Sequence, residues 1–298
     1  LLAARAGEAD PRAELVLGPW THGGEESDRA GDRVFGPQAK LPYAEEVLGF
    51  LDRYVRGIRS ASARPRVRAF VMGENVWRSG GSFPLPGTQP LSLYLEEEGK
   101  LGFRLPAPGS RASSAFVSDP ARPVVDPFAE TPGAHDYRAL ATRQDVLVFE
   151  TEPLAAPLRV VGAVETEIHL SADAPDADLW VKLQDVAPDG TAWNLSSPGT
   201  DVLRASERDA GPLRRLLGPG EVVALRLPNL RTGNLFARGH RVRLVLCGSF
   251  LPHFSRNLQT GESETRSKAA RRATIRIHHD AGHPSRIVLP VVPDEEKR

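Results

Sequence analysis

The sequence predicts a mainly β protein, a β-sandwich of the jelly-roll kind preceded by one buried strand and one amphipathic helix. Three observations predict it. Beyond residue 64 apolar side chains recur with a period of two, as in Val164, Thr166, Ile168 and Leu170 against Glu165, Glu167 and His169. Turn signals such as Pro188-Asp189-Gly190 and Gly218-Pro219-Gly220 separate these runs. Helical spacing of comparable quality occurs once, near the amino terminus.

Taken in order, Glu14-Leu15-Val16-Leu17 is a short apolar run stopped by Gly18-Pro19, as a buried parallel strand would be. A polar loop follows. From Pro42 the pattern turns helical, with Val47, Leu51, Val55 and Ile58 on one face and Gly57 near the end. Residues 60–65, small, polar and ending in Pro65, read as a connection dividing a segment 1–64 from a sandwich 65–298. Half-buried strands are then expected around residues 164–170, 179–186, 221–227, 241–247 and 273–279. Such alternation implies antiparallel sheets packed face to face; it does not fix the strand order.

The chain has 298 residues with 38 basic and 38 acidic side chains, so no net charge points to nucleic acid or an anionic membrane as partner. Aromatic residues are 6% of the total, which argues against a stacking platform for single strands, while 40% hydrophobic residues suffice for a packed core. The single cysteine, Cys247, rules out an intrachain disulfide and a cysteine-built zinc site. No run approaches eighteen apolar residues, and Leu1-Leu2-Ala3-Ala4 is too short for a secretory core, so a soluble protein is expected. The first residue is leucine and Met72 is the one methionine, which leads us to expect that translation starts upstream of Leu1.

The most informative words are Leu17-Gly18-Pro19-Trp20-Thr21-His22-Gly23-Gly24, because a histidine flanked by glycines just after a buried strand is presented by a rigid sheet to a cleft. That motif is followed by a helix ending Phe50-Leu51-Asp52-Arg53-Tyr54-Val55-Arg56-Gly57. Further words are Phe70-Val71-Met72-Gly73-Glu74-Asn75-Val76-Trp77-Arg78, Asp145-Val146-Leu147-Val148-Phe149, Val181-Lys182-Leu183-Gln184-Asp185-Val186, Gly239-His240-Arg241 and His283-Pro284-Ser285. Together they resemble the cocaine-esterase-like and X-prolyl dipeptidyl-peptidase family of serine hydrolases over essentially the whole chain. The resemblance implies an α/β-hydrolase domain followed by a jelly roll of the galactose-binding-like type, with His22 matching the triad histidine near the end of the hydrolase domain. It also implies hydrolysis of a small ester, amide or short peptide with no metal or organic cofactor.

The sequence departs from that family's pattern where the nucleophile should be. α/β-Hydrolases place serine, acid and histidine in that order, with the serine in a Gly-x-Ser-x-Gly elbow. No serine or cysteine precedes His22, and no such elbow occurs in the chain. Asp10 lies too close before the strand at Glu14 to follow an earlier parallel strand, since a parallel crossover needs about a dozen residues. The chain therefore reads as the carboxy-terminal portion of a serine hydrolase, with an upstream catalytic domain as its missing partner. The rival reading is a noncatalytic jelly-roll module that binds carbohydrate or another ligand.

Other candidates carry less. His278, His279, Asp280 and His283 have the density of a metal site, but adjacent strand residues face opposite ways, so His278 and His279 do not converge and no metal is expected. Cys247 ends an apolar strand and reads as a small hydrophobe, and Trp77 and Trp180 read as sheet-packing residues. The irregular stretch 123–138 is longer than ordinary hairpin loops. By the resemblance it lies near the acyl pocket, which makes Phe128 a candidate substrate contact.

Overall fold

The computed structural model describes residues 13–58, 64–196, 200–209 and 213–293. Asp10 and residues 59–63, the middle of the expected linker, lie outside these segments. In chain order the elements are β1 (Leu15–Leu17), β2 (Arg29–Ala30), β3 (Arg33–Val34), helix α1 (Tyr43–Tyr54), β4 (Val67–Val71), β5 (Val76–Gly80), β6 (Gln89–Leu95), β7 (Leu101–Gly102) and β8 (Ser113–Ser118). They continue as β9 (Val146–Glu150), β10 (Leu158–Ala172), β11 (Asp178–Val186), β12 (Ala192–Asn194), β13 (Thr200–Arg204), β14 (Val223–Phe236), β15 (Arg241–Cys247), β16 (Ala273–His278) and β17 (Arg286–Val291). The protein is mainly β with one amino-terminal α-helix, as its alternation predicts.

Two antiparallel sheets face each other. One runs β7-β6-β17-β10-β16-β8, with β14 also paired to β10; the other runs β12-β11-β15-β9, with β13 on β11. Val164, Ile168 and Leu170 of β10 and Ile275 and Ile277 of β16 share one core with Leu179, Val181 and Leu183 of β11 and Leu244 and Leu246 of β15. Each contributes about 1.5–3 kcal/mol by leaving water. A one-residue slip would turn that whole set outward, so the alternation fixes the register.

Every residue of β11 is buried, because its second face is covered as well. Trp180 on that face packs with Val124, Tyr137, Leu140 and Phe250, three of which belong to the irregular stretch that begins at Pro123 and its continuation. That stretch is ordered by Asp126, whose Oδ1 accepts hydrogen bonds from Tyr137 Oη and the Phe128 amide, both at 2.9 Å.

A smaller sheet sits at the amino-terminal end. β1 runs parallel to β4, from Leu15 opposite Val67 to Leu17 opposite Ala69, and β4 pairs antiparallel with β5. Parallel neighbours need a crossover, and α1 lies in it. This sheet carries hydrogen bonding across the division expected at residues 64–65. It is also joined to the sandwich, since the Met72 amide donates to Gly233 at 2.9 Å and the Leu235 amide to Met72 at 2.8 Å.

Helix α1 has Glu45 and Glu46 in its first turn and Arg53 in its last, the order the helix dipole favours. Glu46 holds Arg64 at 2.5 Å and Arg68 at 2.6 Å, and Arg53 pairs with Glu14. The apolar face lacks a cover among the described residues: nothing in α1 is buried, and Leu48, Leu51 and Val55 are exposed.

Candidate functional site

The segment after β1 is locked by two indoles. Trp20 folds back over Gly18, where a Cβ would lie 2.2 Å from the indole ring. Its Nε1 donates to the Ala39 carbonyl at 2.7 Å, and its ring lies 5.7 Å from that of Trp77. Trp77 Nε1 in turn donates to the Gln38 carbonyl at 2.8 Å. Beyond this clamp, residues 21–24 form a turn closed by the Gly24 amide on the Thr21 carbonyl at 3.0 Å. Gly23 takes φ 76°, a conformation that costs a residue with a Cβ. His22 stands exposed on this turn, beyond the carboxyl end of a strand with a parallel neighbour.

Four other histidines have carboxylate partners: His135 with Asp32 (2.7 Å), His240 with Asp185 (2.8 Å), His253 with Asp126 (2.7 Å) and His283 with Asp280 (3.3 Å). Among the described residues no carboxylate is paired with His22. The chain thus offers an accessible imidazole on a fixed turn.

Next to this turn lies a cavity of about 220 Å³, whose wall includes Gly18, Thr21, Phe70, Ala134, Asn194 and Arg231. Sequence reasoning missed the last three, which come from the 123–138 stretch, β12 and β14 and carry no local motif. Their approach depends on a clasp in which the Asp32 amide donates to Ala134 at 2.9 Å, the Ala134 amide to Ala30 at 3.1 Å, and Asp32 holds His135. Phe128 belongs to that clasp: its ring stacks on His135 at 4.3 Å and meets Tyr137 edge-on at 5.0 Å. It is half-buried there and is not part of the cavity wall.

The carboxy-terminal histidines divide between two faces. His279 is buried beside Phe149, with Ser114 Oγ 3.0 Å from its Nε2. His278 lies on the outer face, with Ser171 Oγ 2.8 Å from its Nε2, and Asp280 and His283 stand close by. Burial holds the imidazoles of His169, His278 and His279 below the usual histidine range. Cys247 is buried, and burial pushes its thiol up to about 12, so it stays protonated and unreactive at neutral pH. Trp180 is buried against Phe250 and Phe254. No helix among the described residues is long and apolar enough to cross a membrane.

Residues 60–288 match the family described as X-Pro dipeptidyl-peptidase C-terminal non-catalytic domain. The cocaine esterase of Rhodococcus sp. (strain MB1 Bresler) is 34% identical over 299 residues, a match covering 94% of this chain and 51% of the esterase. Among solved structures, an aminopeptidase from a marine sediment archaeon, Thaumarchaeota archaeon, is similar with a TM-score of 0.85 and 31% identity, covering 94% of this chain and 49% of that one. An α-amino acid ester hydrolase is similar with a TM-score of 0.80 and 29% identity, covering 94% and 50%. The chain spans about half the length of the relatives it matches.

Proposed function

Because the chain belongs to the X-Pro dipeptidyl-peptidase C-terminal non-catalytic domain family and is related to serine esterases over most of its length, we propose that it is the carboxy-terminal portion of a serine hydrolase. In this reading it contributes the general base, His22, together with the β-sandwich. The observation that carries the reading is the placement of His22. It stands on a glycine-shaped turn beyond a strand in parallel pairing, outside the residues 60–288 matched to the non-catalytic family, and with no carboxylate of its own among the described residues.

The nucleophilic serine and the triad acid come from a catalytic half that precedes the chain. His22 takes the serine proton as the serine oxygen attacks the substrate carbonyl, then returns it to the departing alcohol or amine. Water repeats the sequence on the acyl-enzyme, with His22 again as base, and releases the acid. The acid partner holds the far imidazole nitrogen and fixes the tautomer. Substrates are small esters or amides, the chemistry in the names of the relatives. The cavity beside Thr21, walled by Phe70 and by the clasp of the 123–138 stretch, is suited to part of such a molecule.

The test is His22→Gln in the enzyme formed with that half. A triad deletion leaves a residual acceleration of roughly a thousand- to ten-thousand-fold over water, so turnover should fall to that floor while the protein stays folded. His240→Gln and His253→Gln should keep turnover. The reverse pattern, with a folded His22→Gln enzyme at wild-type turnover, would remove His22 from the chemistry.

A further inference from the structure

The outer face of the larger sheet carries a second cluster of chemistry-bearing side chains. His169 of β10 and His278 of β16 are directly opposed in the antiparallel ladder, and the flanking Leu170 and Ile277 point into the core. The two imidazoles therefore share the outward face. After β16 the chain turns back on itself, and Asp280 shapes the turn: its Oδ1 accepts the amides of Gly282 (2.7 Å) and His283 (3.0 Å). Ser285 ties the turn to both strands, donating to the His278 carbonyl and accepting from the His169 amide. This places the His283 ring 5.6 Å from His169 and 5.6 Å from His278, centroid to centroid.

We propose that His278, Asp280 and His283 form a binding site for a divalent first-row transition ion. A ligand atom from each lies within 4.8 Å of the other two. Zinc bonds of about 2.0–2.1 Å put tetrahedral ligands about 3.4 Å apart, a spacing that His283 Nδ1 and Asp280 already have at 3.3 Å and that the rest of the cluster reaches by closing no more than about 1.4 Å. All three side chains are only partly buried, and His283 sits on a loop, so the adjustment needs no rearrangement of the core. Two imidazoles with one carboxylate and no thiolate suit zinc, iron or nickel rather than calcium or magnesium. Ser171 Oγ lies 2.8 Å from His278 Nε2, a contact that fixes the ring and leaves Nδ1 to act as ligand. His169 stands beside the three, its ring 5.6 Å from that of His283 and its Nδ1 buried without a hydrogen-bond partner. The alternation that parts His279 from His278 holds, but the loop supplies the missing ligands. The bound ion would staple the β16–β17 loop to the sheet.

The experiment is zinc titration of the full chain, purified without an affinity tag, followed by calorimetry and by thermal unfolding. One zinc per chain is expected, with a raised melting temperature. His283→Ala and His278→Ala should each weaken binding by at least about tenfold, and His253→Ala should leave it unchanged. Absence of stoichiometric uptake by folded wild-type chain, or equal uptake by the His278→Ala, His283→Ala double variant, would overturn the site.

Discussion

Lys182 lies in a covered face of the sandwich at 2% exposure, its ammonium 4.1 Å from the centre of the Tyr137 ring and 5.2 Å from that of Phe250. Burial lowers its pKa to about 7 against the attraction of Asp126. In the unfolded chain a lysine titrates near about 10.4. Between these values the unfolded state holds a proton that the folded state has lost, so this group makes stability rise with pH from about 7 to about 10. Lys182→Met removes that dependence. The variant should be the more stable by about 1–4 kcal/mol at pH 7, the range found when buried ion pairs give way to apolar side chains, with the gap closing toward pH 10. Urea denaturation at both values checks it, and a gap independent of pH would show that Lys182 keeps its charge in the fold up to the range of an ordinary lysine. At this same scale His22 is legible in the sequence, since flanking glycines and a preceding apolar run are local signals. The stacking of Phe128 on His135, and the hydrogen bond between His135 and Asp32, are not. His135 and Asp32 are 103 residues apart and meet only because two loops pack.

Elements whose signal is local match their expected spans closely. The runs expected at 179–186, 241–247 and 273–279 correspond to β11, β15 and β16. β14 extends to Phe236, well past the expected end at residue 227, because Pro228 interrupts the alternation and the strand absorbs it. The ladder with β10 shifts register there, between Val164 and Thr166, and the Asn229 amide finds Asp201 at 2.7 Å instead. The partner of β1 is not legible, since β4 lies beyond α1 in the chain and the two strands meet in a small core that Leu85 and Val161 complete. The helix forms where the spacing predicts an amphipathic one, yet among the described residues its apolar side lacks a cover. Leu48 is 60% exposed, so Leu48→Asp should change the stability of the chain by no more than about 0.5 kcal/mol. If α1 packs against the proposed catalytic half, the same substitution should abolish co-purification of the two. Retained association would place the contact elsewhere.

Over the whole molecule, the β-sandwich, its core and its family are established, whereas the proposed activity rests on a nucleophile that this chain does not present in an elbow motif. A histidine without its serine and oxyanion hole retains little beyond solution-like base catalysis. The most direct measurement is hydrolysis of p-nitrophenyl acetate by the purified chain alone and together with the catalytic half, with a serine-directed phosphonate followed by mass spectrometry. No turnover and no adduct are expected for the chain alone, and turnover with an adduct on the other half when both are present. Robust turnover by the chain alone, with the adduct on Ser27, Ser82, Ser171 or another of its own serines, would contradict the proposed function.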